Sequence, residues 1–141
     1  MGKNRGGIGM EDFSIREMQD KQRALQEKYR DIWPPVCPDR GKDQLLWMIG
    51  EIGEVVDIVK KHGGEAASRD ETLRAHLVEE LADVLMYYTD VLLCYGVSPE
   101  ELKRAYIGKF ETNMKRWRSL CGGTRGKEAE DDDPKHGWAG L

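Results

Sequence analysis

The sequence predicts an all-α protein built on four helices. No stretch alternates apolar and polar residues over strand length, so nothing reads as a half-buried strand. Apolar residues instead recur at helical spacing in "LLWMIGEIGEVVDIVKKH" and "LRAHLVEELADVLMYYTDVLL". Capping residues and glycine or proline stops bound these runs, which is how helices announce their ends.

In chain order, residues 1–11 are Gly-rich and basic and read as a disordered segment; no strand precedes "GGIG", so it is no nucleotide loop. Ser14 followed by Glu17 is a capping box opening the first helix, with Ile15, Met18, Leu25 and Tyr29 as its apolar positions. The prolines of "WPPVCP" and Gly41 make residues 33–42 a loop. Asp43 can cap a second helix that runs to His62, where Gly63 and Gly64 stop it. "GGEAASRD" reads as a connection, and a third helix runs from Asp70 to Tyr95, stopping at Gly96. In "SPEE", Ser98 caps, Pro99 takes the first turn and Glu101 completes a box, starting a fourth helix that reaches Leu120. Residues 121–141 form a polar tail whose acidic run "EAEDDD" reads as solvated and disordered. One all-α domain, residues 12–120, remains between the two tails.

Composition narrows the function. The chain has 141 residues, room for one core, and its formal net charge of −4 argues against non-specific binding to nucleic acid. An acidic protein that handles phosphate needs a metal ion or a local basic cluster. Cys37, Cys94 and Cys121 are odd in number and widely spaced, which fits free thiols in a reducing compartment, and no histidine stands at zinc-ligand spacing from them. "MGKNRGGIGM" carries no apolar signal core and fails the myristoylation pattern, and the apolar runs are too short to span a bilayer. The expectation is a cytoplasmic protein without a membrane partner.

The acids on the two apolar helices carry the chemistry. Glu51 and Glu54 stand three apart on the second helix, as Glu80 and Asp83 do on the third, so each pair shares a face. Like charges at that spacing repel, and inside a packed bundle they are also stripped of water. A divalent cation relieves both penalties, and Mg²⁺ in particular takes carboxylate oxygens together with water and phosphate. The competing account is a solvated face, with Glu51, Glu54 and Asp57 paired to Lys60 or Lys61. Against it, the density of Ile, Leu and Val on both helices predicts that protein wraps them on most sides. Gly53 between the two glutamates leaves room for a neighbouring helix or a ligand. Spacing does not choose between Glu79 and Glu80, which lie four and three residues from Asp83. A ferritin-like di-iron site would need Glu-x-x-His pairs, and neither helix has one.

"EIGE" on one helix and "EELAD" on the next resemble the ExxE…ExxD signature of MazG-like nucleoside triphosphate pyrophosphohydrolases. "KFETNMKRW", Lys109 to Trp117, resembles that family's closing K-x-x-x-N-x-x-[KR] element. The resemblance covers residues 12–118 and implies a four-helix MazG-like bundle. It implies metal ligands Glu51, Glu54, Glu80 and Asp83, taking Glu80 over Glu79. It also implies phosphate contacts from Lys109, Asn113 and Arg116, which fall at i, i+4 and i+7 on one helix face. Ordinary surface cations near a helix C-terminus are the plain alternative for Lys109 and Arg116. Tyr87, Trp47 and Trp33 are candidates for base contact, with core packing as the alternative for each. The activity implied is hydrolysis of a (deoxy)nucleoside triphosphate to monophosphate and pyrophosphate with Mg²⁺, for which Mn²⁺ can substitute. The role would be nucleotide-pool sanitation by a homodimer or dimer of dimers. Two alternatives remain: a non-enzymatic helical or metal-binding module, and a related enzyme acting on phosphoribosyl-ATP.

Overall fold

The computed structural model describes residues 12–121, with side chains through Arg116. The segment 1–11 and the tail beyond Cys121 lie outside the described residues, so the disorder expected of them is not addressed by it. The described residues form α1 (Ile15–Lys28), α2 (Gly41–His62), α3 (Gly64–Arg69), α4 (Glu71–Cys94) and α5 (Pro99–Cys121), with no strand among them. The all-α class holds, with four long helices and one short one.

Local chemistry fixes the ends. At α1 the Glu17 amide donates to Ser14 Oγ at 3.2 Å, and the Ser14 amide donates to Glu17 Oε2 at 2.6 Å. Ser98 and Glu101 form the same reciprocal pair ahead of α5. Asp70 caps α4 by accepting from the Leu73 amide at 2.9 Å. Gly63 closes α2 with φ +82°, and Gly96 follows α4 with φ +63°, where a side chain would be strained.

Two elements differ from the sequence reading. The loop expected at 33–42 tightens into a 3₁₀ turn at Pro38–Arg40 that feeds α2 two residues before Asp43. Proline at the head of that turn has its φ preset and lacks the amide a helix start leaves unpaired. Asp43 is therefore not the cap; it sits in the first turn and accepts from Arg40 Nη1 at 3.0 Å. The connection "GGEAASRD" coils into α3, because Ala67 finds an almost fully buried position.

The chain divides into two compact units, residues 1–103 and residues 104–141. In the first, α1 and α2 both pack on α4, while α3 rests on α2 and α4. Matched contacts give the register of α2 against α4: Gly41 meets Tyr95, Trp47 stacks near Tyr87, and Glu51 approaches Asp83. Rising numbers on one helix meet falling numbers on the other, so the pair is antiparallel. Gly41 makes room there: a Cβ would come within 2.3 Å of the Tyr95 ring, and that half-exposed side chain would have to shift.

Among the described residues the buried side chains are few and half of them are polar. Ile58, Ala67, Leu92 and Cys94 are the apolar members, and Gln19, Gln22, Thr89 and Asp90 the polar ones. The α1–α4 seam satisfies its polar groups internally: Gln19 Nε2 donates to the Val97 carbonyl at 2.9 Å and Gln22 Nε2 to Asp90 Oδ1 at 3.1 Å. Protein does not wrap α2 and α4 on most sides, as the sequence suggested. Trp47 is 61% exposed, Ile49 60% and Val78 52%, because the neighbours of each helix cover only part of its circumference. No helix among the described residues is long and apolar enough to cross a membrane.

Candidate functional site

Antiparallel packing of α2 on α4 turns three carboxylates toward one point. One oxygen each from Glu51, Glu80 and Asp83 lies within 4.8 Å of the others. All three residues are half-buried, and the Glu80 side chain is only 16% exposed. Glu79 is exposed and outside the group, so packing separates the two acids that spacing could not. Glu54, one turn along α2, is exposed and stands beside the group, not in it. Asp57 belongs to the solvated surface: Lys61 Nζ donates to its Oδ2 at 2.5 Å and holds its carboxyl below the usual range.

Electrostatics mark the cluster. Loss of water raises the Glu51 carboxyl above its ordinary value, and the charges of Asp83, Glu80 and Glu54 raise it further. His76, one turn before Glu80, brings Nε2 to 2.9 Å from Glu80 Oε1. An all-oxygen set of converging, mutually repelling carboxylates fits a hard divalent cation.

A cavity of about 350 Å³ opens beside Asp83, in the size range of small-molecule sites. Trp33, Trp47 and Tyr87 all line it, so the three aromatic candidates share one space. The Trp47 and Tyr87 rings are nearly parallel, 16° apart in plane and 6.5 Å between centroids, and Trp33 stacks on Tyr29 at 4.7 Å. Burial, then the charges of Glu51, Asp83 and Asp90, push the Tyr87 phenol up. Its polar lining adds Gln22 and Gln26 of α1, Gln44 of α2 and Asp90 of α4.

Lys109, Asn113 and Arg116 lie in the second unit, on α5, and are exposed. Their spacing puts them on one face of that helix.

Sequence reasoning missed His76, Gln22, Gln26, Gln44 and Asp90. The signal for Asp90 was present: Asp83, Tyr87 and Asp90 stand at i, i+4 and i+7 on one face of α4. Gln22 and Gln26, four apart on α1, had no such pointer, because only tertiary packing sets them against Asp90.

An all-α unit whose central helix pair presents clustered carboxylates beside an aromatic-lined cavity defines a class: helical proteins whose acidic cluster could hold a metal ion. The family model of the MazG nucleotide pyrophosphohydrolase domain matches residues 41–114, more than half of the chain, and the chain belongs to that family. The match is narrower than the resemblance suggested; it takes in α2 through most of α5 and leaves out α1, Trp33 and Arg116. A search of curated proteins and one of solved structures each returned no match.

Proposed function

We propose that this protein hydrolyses a (deoxy)nucleoside triphosphate to the monophosphate and pyrophosphate, with Mg²⁺, or Mn²⁺ in its place, as cofactor. The observation that carries the reading is the convergence of Glu51, Glu80 and Asp83 within the family-matched residues.

In this reading Glu51, Glu80 and Asp83 hold the metal, with Glu54 at the edge of the set. When bound, the cation neutralises phosphate charge and lowers the pKa of a coordinated water. Glu54, exposed and beside the cluster, orients the attacking water or takes its proton. His76, with Nε2 2.9 Å from Glu80 Oε1, holds the Glu80 carboxylate in place, as partners of metal-binding carboxylates do. Lys109, Asn113 and Arg116 supply cationic and amide donors to phosphate oxygens. Trp33, Trp47 and Tyr87 receive the base.

The catalytic domain is residues 12–120, and the unit works as a homodimer or dimer of dimers in the cytoplasm, clearing unwanted nucleotides. The apolar surface left open on α2 and α4 supports self-association, since a second copy would cover it.

The test is pyrophosphate release from a panel of ribo- and deoxyribonucleoside triphosphates and phosphoribosyl-ATP, with and without Mg²⁺. Wild type should release pyrophosphate only with the metal, and Glu54→Gln should abolish release while leaving the helical circular dichroism intact. A folded wild-type protein that releases none from any member of the panel would sink the reading.

A further inference from the structure

The cavity beside Asp83 has a wall whose hydrogen-bonding polarity is lopsided. Asp90 is 5% exposed and Gln22 6%, yet both line the cavity. Gln22 Nε2 donates to Asp90 Oδ1 at 3.1 Å, and the Gln26 side chain donates to the same carboxylate. Each glutamine thus gives one N–H to Asp90, and Gln22 Nε2 also lies 3.5 Å from the Met86 carbonyl oxygen. A carboxylate has about four lone-pair positions, so two remain after those bonds. Gln44, on the same cavity, has a buried Oε1 that accepts from no described residue. What the lining leaves unmatched is therefore acceptor capacity, at Gln44 Oε1 and at the remaining lone pairs of Asp90, and a buried acceptor left unmatched is costly.

We infer that Asp90, positioned by Gln22 and Gln26, is a specificity-determining residue that selects nucleobases bearing an exocyclic amino group over their keto counterparts. An amino group carries two N–H donors and can satisfy two neighbouring acceptors. A keto base brings a single ring N–H flanked by carbonyl oxygen, which meets those acceptors with like polarity. Cytosine and adenine fit; uracil and hypoxanthine do not. The inference rests on the nucleotide reading above and sharpens it to a substrate class. The aromatic rings of Trp47 and Tyr87 discriminate little here, because every base has a π face.

The test is calorimetric titration of the full chain, in Mg²⁺ buffer, with CMP against UMP and AMP against IMP. Pyrophosphate release from the four triphosphates is followed in parallel. Wild type should prefer each amino base by about tenfold to a hundredfold, the range for a hydrogen bond to a charged group. Asp90→Asn is isosteric: its oxygen can still accept from a glutamine while its amide presents a donor to the cavity. It should erase or reverse the preference, and a melting temperature no lower than that of wild type separates that effect from loss of fold. Lack of preference in wild type, an unchanged preference in Asp90→Asn, or no binding of any of the four overturns the inference. Amino-selective binding without pyrophosphate release leaves the inference standing and removes the proposed activity. Release without base selectivity does the reverse.

Discussion

Replacing Asp83 by Asn should change the sign of its effect on stability according to whether Mg²⁺ is present. Without metal, Asp83 repels both Glu51 and Glu80, so the substitution removes two of the three like-charge pairs in the cluster. At the 4.8 Å limit each pair costs roughly 0.9 kcal/mol in water and roughly 3.5 kcal/mol at an effective dielectric of about 20. The site is half-buried, and salt screens part of the repulsion, so the metal-free variant should gain about 1–2 kcal/mol. For a domain of this size that is a rise of roughly 3–10 °C in Tm. With Mg²⁺ at ~100 times its Kd, wild type gains about 2.7 kcal/mol by linkage, which a variant lacking one ligand largely forgoes. Thermal melts followed by circular dichroism, in EDTA and then in saturating Mg²⁺, should show the two curves exchange order. A variant less stable than wild type in EDTA would show that the carboxylates do not repel one another as placed. Equal Mg²⁺-induced shifts would place the cation away from Asp83.

A Cβ at Gly53 meets no atom within 4 Å, so Gly53→Ala should raise stability by about 0.5–1 kcal/mol in denaturant titrations, through helix propensity alone. A loss instead would reveal a second copy packed against that position. At Gly41 the added Cβ collides with Tyr95, so Gly41→Ala should cost about 1–3 kcal/mol. Most of that cost should vanish in a Tyr95→Ala background, and additive costs in the double-mutant cycle would refute the clash. Burial raises the Asp90 carboxyl above its ordinary value, against the pull of Gln22 and Gln26. The unfolded carboxyl near pH ~3.9 then gives up its proton before the folded one does. Its contribution to stability is complete below that value and is lost as pH rises toward the raised one. The Tm of Asp90→Asn minus that of wild type should therefore climb as pH rises from about 4 and then level off; a difference independent of pH would refute the buried charge.

The parts of the fold that sequence reveals are those written in local chemistry. Ser14 with Glu17 and Ser98 with Glu101 each state a helix start in four residues, and both boxes form. Asp43 misled because an acid in a first turn and an acid at a cap look alike in sequence, while Pro38 three residues ahead of Gly41 had already turned the chain. The extent of burial misled for another reason. Apolar density on α2 and α4 reads as burial within the chain, and it does not encode how much of each helix the chain's own neighbours cover. Three of the four acids were legible because spacing on one helix repeats on its antiparallel partner. That Glu54 stands outside the trio follows from the angle at which α2 meets α4, which its sequence does not encode locally.

Glu80, Asp83, Tyr87 and Asp90 form a stripe on α4 whose ends stand ten residue steps apart, roughly 15 Å of helix axis at 1.5 Å per residue. At one end the stripe meets Glu51 of α2, and carboxylates accumulate there, with the His76 ring 2.9 Å from Glu80. At the other it meets Gln22 and Gln26 of α1, and the Asp90 carboxylate accepts from their neutral amides with lone pairs to spare. The two carboxylate environments ask opposite things of a ligand. The first needs a cation, and through it an anion; the second needs a neutral edge rich in N–H donors. Tyr87 lies between them with Trp47 opposite, where a flat group can sit. A molecule that is polyanionic at one end, carries an amino group at the other and has a planar ring near that group satisfies the whole stripe at once. An amino-bearing nucleoside triphosphate has that order of parts, whereas phosphoribosyl-only or inorganic substrates would leave Asp90 and the Gln44 oxygen unmatched.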